Sequence, residues 1–267
     1  MAIFYRLFQR QKNLKEKLSR ARVGLALGGG AVLGAAHVGV LRAFEEEKVN
    51  IACLSGTSVG ALVASLYAFG VSIRQLEETV RKLKWLDVSG VSLSRYGLLS
   101  NRPLGEIVKE ILGPVKVEMA ILPLAILATD ISTGEKVVIH EGDLETAVMA
   151  SAAVPGIFLP VEREGRWLMD GGLVENVPIS PLSEMGATVR VGVNLTAKRN
   201  YRRPRNIIDL LTNTFDILVN TAASQQLVQA DLTIEPDLAG YDYTNLSQVP
   251  TLIEEGYRAA RKMLAGI

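Results

Sequence analysis

Ile51-Ala52-Cys53-Leu54-Ser55-Gly56-Thr57-Ser58-Val59-Gly60 is the stretch from which the fold can be read. Ile51–Leu54 has strand character and runs into a G-x-S-x-G pentapeptide centred on Ser58, and an apolar helix from Ser58 to Phe69 leaves it. A strand that feeds a helix through so tight a turn forces the central serine into a strained conformation, and the small residues Gly56 and Gly60 let the backbone fold closely. A serine at the start of a helix also lies in a field that favours an alkoxide. The plainer role for Ser58 is N-cap of that same helix. Ser55 and Thr57 lack the elbow position. The uncharged run from Ile51 to Ile73 is long enough to span a bilayer, but its glycines, its hydroxyl residues and its turn signal favour a strand followed by a buried helix.

Strand and helix patterns alternate outward from this turn. Val23–Leu27 is a strand ending in glycines, followed by a helix over Val32–Glu47. Downstream, helices are expected over Ile73–Leu86, Leu104–Leu112, Leu144–Ala152, Pro178–Met185, Asn206–Gln229 and Pro250–Leu264. Strands are expected near Leu122–Ala128, Lys136–Ile139, Trp167–Met169, Thr188–Asn194 and Leu232–Glu235. The serine- and glycine-rich stretch Asp87–Asn101 reads as a mobile loop. This alternation predicts an α/β sandwich with a mainly parallel sheet.

The glycine loop Leu25-Ala26-Leu27-Gly28-Gly29-Gly30-Ala31-Val32-Leu33-Gly34 has rival readings. A dinucleotide fingerprint needs its third glycine where Leu33 stands, and a Walker loop needs Gly-Lys-Ser/Thr where Gly34-Ala35-Ala36 stands. There remain a merely tight turn and an oxyanion loop, in which backbone N–H groups at a helix start receive developing negative charge. A nucleophilic serine needs a base. His37 lies within the first helix, on a packing face, and His140 ends a strand beside Glu141. Both precede Asp170, which follows Leu168–Met169 and is followed by Gly171 and Gly172, so a histidine-last triad is excluded and a Ser–Asp dyad is favoured. A plain β-turn aspartate is the alternative for Asp170. Asp130, in Asp-Ile-Ser-Thr-Gly, reads as an Asx-type turn.

Composition narrows the classes. The chain has 267 residues, is 48% hydrophobic and carries a net charge of +1, so no nucleic-acid partner is implied. Its one cysteine, Cys53, lies in an apolar run and reads as a buried thiol. Residues 1–22 hold seven basic residues and one acid, with Phe4, Leu7, Phe8, Leu14 and Leu18 at roughly helical spacing. Without an apolar core this is not a signal peptide. It reads either as an amphipathic helix on an anionic membrane or as a helix packed on its own domain or on a partner.

The motifs in order resemble those of patatin-like phospholipases, in the bacterial group related to the catalytic domain of neuropathy target esterase. The resemblance runs from Val23 to Leu264 and rests on Gly28–Gly34, Gly56–Gly60, Ala128–Asp130, Ala150–Pro160 and Asp170–Gly172. It implies a three-layer α/β/α sandwich, taken as residues 21–267; the basic helical segment read from composition is 1–20. It also implies a Ser58–Asp170 dyad and an oxyanion hole of Gly29, Gly30 and Ala31 amides. Pro155 and Phe158, with Pro160, read as the wall of a substrate pocket that Leu33 adjoins, or else as an ordinary proline-stiffened loop. The implied chemistry is hydrolysis of lipid carboxylic esters through an acyl-enzyme, with no metal and no cofactor. The expected partners are a lipid or ester substrate and an anionic membrane contacted peripherally, and the expected location is the cytoplasm or the inner membrane face. Ala31 stands where the family has glycine, and Leu33 where it has arginine. The Ala31 change costs about 1 kcal/mol or more if its φ is positive. The loss of arginine points to neutral esters, slow turnover, or a membrane-surface protein that has kept the fold and lost hydrolysis.

Overall fold

A computed structural model describes residue 18 and residues 20–82, 90–91, 99–197, 201, 203–205, 207–242 and 245–266. Its strands are β1 (Val23–Leu27), β2 (Ile51–Thr57), β3 (Gly90–Val91), β4 (Leu99–Ser100), β5 (Leu124–Asp130), β6 (Lys136–Ile139), β7 (Val161–Arg163), β8 (Arg166–Asp170), β9 (Val189–Val193) and β10 (Leu232–Ile234). Its helices are α1 (Ala35–Glu46), α2 (Val59–Ala68), α3 (Ile73–Lys82), α4 (Arg102–Leu112), α5 (Leu144–Ser151), α6 (Ser180–Glu184), α7 (Ile207–Gln226) and α8 (Val249–Leu264). Of the basic N-terminal segment, only Leu18 and the residues from Arg20 onward are described, and Leu18 is buried in the main core. The loop expected over Asp87–Asn101 lies largely outside the described residues, although Gly90–Val91 and Leu99–Ser100 pair as a short antiparallel ribbon.

Eight strands form one sheet in the order β10-β9-β1-β2-β5-β8-β7, with β6 also on β5. The run from β10 to β5 is parallel, and β6, β7 and β8 add antiparallel pairs. Every residue of β1 and β5 is buried, as expected for central strands covered on both faces. Alternation sorts their side chains. Val23, Leu25 and Leu27 join the main core with residues of α1, α2 and α8, whereas Ala26 and Cys53 face a smaller cluster of Val177, Ile179 and Leu182. Helices thus flank a mixed, mainly parallel sheet. Cys53 is the buried thiol its sequence context suggests, and burial pushes its pKa up to about 11.

The helix layer is held by close approach. A Cβ added to Gly39 on α1 would lie 1.8 Å from the Ile253 carbonyl oxygen on α8, and one on Gly256 would lie 1.9 Å from that of Ala36. Two glycines therefore let these backbones touch. Arg42 closes the exposed rim of that contact with ion pairs to Glu77 at 3.2 Å and Glu254 at 2.6 Å, its guanidinium 4.3 Å from the centre of the Tyr257 ring.

One feature of β5 arranges the site. Ile126 pairs with Gly56 on β2 and Ile139 on β6, so those two strands lie on opposite edges of β5. Ala128 pairs with Val137 on β6 and Asp170 on β8, so β8 continues the edge that β2 leaves. β2 ends at Thr57 opposite Leu127, and β8, running the other way, ends at Asp170 opposite Ala128. The two strands meet tip to tip on one edge. The residues after Thr57 and around Asp170 must then be neighbours.

Candidate active site

Ser58 follows β2 directly and has φ +55° and ψ −126°. For a residue with a Cβ this is a strained conformation, costing about 1–3 kcal/mol. It occupies the N-cap position of α2, yet its side chain makes no capping hydrogen bond. The capping role that could explain a serine here is not taken up. Its N–H donates instead to the Ser151 Oγ at 2.9 Å. Ser55 and Thr57 do not compete for the nucleophile's place, because their hydroxyls donate to the carbonyls of Pro178 at 2.5 Å and Glu175 at 2.9 Å.

Asp170 is 1% exposed. Its Oδ1 accepts from the Gly172 N–H at 2.8 Å, and its own N–H donates to the Ala153 carbonyl at 2.9 Å. The segment around the end of α5 thus grips both residues, Ser58 through Ser151 and Asp170 through Ala153. The Thr129 hydroxyl donates to the Asp170 carbonyl at 2.9 Å. Oδ2 is buried and meets no hydrogen-bond partner among the described residues, while the Ser58 hydroxyl lies near enough to favour the charged carboxylate. Burial is the larger effect and pushes the carboxyl up to about 7, against the pull of the Gly172 N–H and the Ser58 hydroxyl. A carboxylate so placed can exchange a proton near neutral pH.

The glycine loop packs against the elbow. A Cβ on Gly60 would lie 2.0 Å from the Leu27 carbonyl oxygen, and one on Gly29 would lie 3.2 Å from Ser58 Cβ. Side chains at either position would push the loop off the serine. The Gly28 N–H donates to Val193 at the end of β9 at 3.2 Å, and the Gly28 carbonyl accepts from His37 Nε2 at 2.7 Å. Since a carbonyl can only accept, Nε2 carries a proton. Burial lowers the His37 pKa to about 4, so the ring is neutral at neutral pH. His37 is a buttress of the loop, in line with the packing role its helix position suggested. His140 is exposed just past β6, in a cleft with Glu118, Leu122 and Met185 at the amino-terminal end of β5, away from Ser58.

The loop's own amides are unequal. Gly29 donates its N–H to Asn176, with the side-chain Oδ1 at 3.1 Å and the carbonyl at 3.3 Å. The N–H groups of Gly30 and Ala31 have no hydrogen-bond acceptor among the described residues. Ala31 has φ +48°, so the alanine in place of glycine carries the strain that a positive φ entails. Leu33, expected at the pocket, is 1% exposed and packs in the main core. Pro155 and Phe158 are partly exposed in a turn where the Phe158 N–H donates to the Val154 carbonyl at 2.9 Å. Asp130 forms the expected Asx turn, its Oδ1 accepting from the Ser132 N–H at 2.9 Å.

Two residues escaped the sequence reading. Ser151 stands within the Ala150–Pro160 motif, in which sequence pattern assigns a role only to the residues from Pro155 onward. Asn176 gave no spacing signal. It holds the glycine loop through Gly29, donates its own N–H to Gln226 Oε1 at 3.1 Å, and leaves its Nδ2 buried without a partner among the described residues.

Residues 25–183 match the family model described as patatin-like phospholipase. The chain belongs to the patatin-like phospholipase family. It is 35% identical over 183 residues to the NTE family protein Mb1092c of Mycobacterium bovis, covering 66% of this chain and 50% of that protein. It is 28% identical over 181 residues to neuropathy target esterase sws of Drosophila melanogaster, covering 65% of this chain and 13% of that one. It spans about half the length of the mycobacterial relatives it matches. Among solved structures, VipD from Legionella pneumophila is similar with a TM-score of 0.63 over 91% of this chain and 67% of that one, at 16% identity, a likeness of fold.

Proposed function

We propose that this chain hydrolyses carboxylic esters of lipids through a covalent acyl-enzyme, with Ser58 as nucleophile and Asp170 as its base. The supporting observation is the pairing of a strained, uncapped serine with a buried carboxylate whose Oδ2 is unpartnered and whose pKa is about 7. Ser58 Oγ attacks the ester carbonyl carbon and gives its proton to Asp170. The tetrahedral oxyanion accepts from the N–H groups of Gly30 and Ala31, Gly29 being held by Asn176. Collapse breaks the bond to the alcohol, which takes the proton from Asp170. Water then loses a proton to Asp170 as it attacks the acyl carbon, and the acid leaves while Ser58 recovers its proton. His37 cannot share this work, because its protonated Nε2 is committed to Gly28.

A fluorophosphonate probe tests the reading, since it traps only an activated serine. Intact-mass analysis should show one adduct on the native chain, and Ser58→Ala should lose both the adduct and turnover of a soluble short-chain ester. An adduct undiminished in Ser58→Ala would remove Ser58 from the mechanism. Absence of any adduct on the folded native chain would favour the lipid-binding protein that has lost hydrolysis.

A further inference from the structure

Helix α7 is built the wrong way round for a helix that only packs. Ile207 is 59% exposed, Leu210 48%, Ile217 48% and Leu218 58%. With Thr214 and Thr221, also exposed, they follow the three- and four-residue spacing of one helical face and fall within an arc of about 100°. The two threonine hydroxyls donate back to the carbonyls of Leu210 at 2.9 Å and Ile217 at 2.8 Å, which leaves their methyl groups outward. No charged residue lies on that arc. The helix's two acids, Asp209 and Asp216, fall on its opposite, half-buried side. An uncharged stripe of large aliphatic side chains turned to solvent is the mark of a surface that meets something.

The chain just before α7 is its complement in charge. Five of the eight residues from Lys198 to Arg205 are basic. Arg203 and Arg205, both described, are exposed and make no ion pair among the described residues. Tyr201 in the same segment reaches along the helix, its hydroxyl accepting from Asn220 Nδ2 at 2.7 Å and lying 3.4 Å from the Asp216 carbonyl. Tyr201 therefore lies beside the helix that bears the apolar stripe, and the Arg205 N–H donates to Asp209 Oδ2 at its start at 2.9 Å. We propose that the outer face of α7, together with Arg203 and Arg205 just before it, docks the protein on an anionic lipid surface. Cations met by anionic head groups and aliphatic side chains sinking into the acyl boundary are the two halves of interfacial binding. A second copy of this chain fits less well, because the stripe has no acid to receive another molecule's arginines.

The inner side of α7 connects this face to the site. A Cβ on Gly172, two residues past Asp170, would lie 3.3 Å from Phe215 Cζ, and one on Gly156, in the turn that holds Phe158, would lie 3.1 Å from Leu211 Cδ1. Gln226 Nε2 donates to the Val174 carbonyl at 2.8 Å. A lipid surface on the outer face is thus separated from the Asp170 turn by one helix, a thickness of about 10 Å. This docking extends the ester-hydrolase reading, and the test scores binding apart from hydrolysis.

Co-sedimentation with phosphatidylglycerol and phosphatidylcholine vesicles should be measured on the full chain carrying Ser58→Ala, so that no lipid is consumed. The parent should bind the anionic vesicles more tightly, and the preference should vanish in 1 M salt, where screening shortens to about 3 Å. Leu210→Glu with Ile217→Glu and Leu218→Glu should weaken binding by roughly tenfold or more. Arg203→Ala with Arg205→Ala should weaken it by about tenfold at low salt and leave it unchanged at high salt. Ile121→Glu replaces a still more exposed aliphatic residue just before the start of β5, away from α7, and should have no effect. Equal binding by the folded triple variant overturns the assignment, as does an equal loss in Ile121→Glu. A parent dimer that the triple variant makes monomeric, with neither form binding vesicles, overturns it in favour of a second copy. Soluble-ester turnover by the chain with Ser58 intact is scored separately, so failure of the hydrolase reading is distinguishable from failure of the docking one.

Discussion

At Ser58 the chain accepts backbone strain that a glycine would not feel. Two substitutions separate this strain from chemistry. Ser58→Ala removes the hydroxyl but keeps a Cβ at φ +55°, whereas Ser58→Gly relieves the torsion. Both should be inactive, and the glycine variant should be more stable than the alanine variant by about 1 kcal/mol, read as urea midpoints with equal slopes. Ala31→Gly applies the same logic at φ +48° and should stabilise the fold by up to about 1 kcal/mol. Leu33 is the position where the sequence alone misleads. An arginine introduced there would sit in the main core rather than at the rim of the hole, so Leu33→Arg should destabilise the protein by several kcal/mol in chemical denaturation instead of sharpening head-group preference. The elbow serine and the glycine-flanked aspartate were legible because tight turns need particular residue types. Ser151 and Asn176 were not, because a hydrogen bond to a distant backbone leaves no local pattern.

Among the elements, periodicity foretold most helices within a few residues, from the strand-and-helix pair around Ser58 to the closing α8. It did not foretell that β8 runs antiparallel on the edge of β5 that β2 vacates. That placement depends on pairing between residues some forty apart, Ala128 with Asp170, to which an alternating or helical pattern is blind. The same holds for the contact of α1 with α8. Gly39 and Gly256 read as weak points in their own helices, and only the facing carbonyls show why a side chain is excluded. Gly256→Ala should therefore cost more than the usual glycine-to-alanine gain within a helix, with a net loss of about 1–3 kcal/mol in the denaturation midpoint. An unchanged or raised midpoint would show that the two helices can separate freely.

Across the whole molecule, two buried titrating groups act on stability in opposite directions. Asp170 holds its proton up to about pH 7 when folded, whereas an unfolded aspartate releases it near 3.9. Its contribution is complete below about pH 4 and is lost as pH rises to 7. His37 refuses its proton down to about pH 4, whereas an unfolded histidine takes one up near 6.5. Its contribution is complete above 6.5 and is lost as pH falls toward 4. Between about pH 4 and 6.5 the slopes oppose each other and stability stays flat in this respect. Asp170→Asn leaves the histidine slope alone, so the variant should gain up to about 1.4 kcal/mol per pH unit across that window. At pH 8 it should exceed the native chain by a few kcal/mol while losing nearly all ester turnover. The native turnover of a soluble ester should climb as pH passes through about 7, since Asp170 accepts a proton only when charged. A flat rate between pH 6 and 8 would remove Asp170 from the role of base.

The bond from the Gly28 N–H to Val193 also has a meaning in time. A ribosome delivers the serine elbow early, while the strand that anchors the glycine loop, and the Asn176 that fixes Gly29, emerge far later. Until β9 pairs with β1, the growing chain carries Ser58 without the anchored glycine loop that the proposed mechanism needs. Under the ester-hydrolase reading, the site is therefore complete only once β9 has paired with β1, after most of the chain has been made.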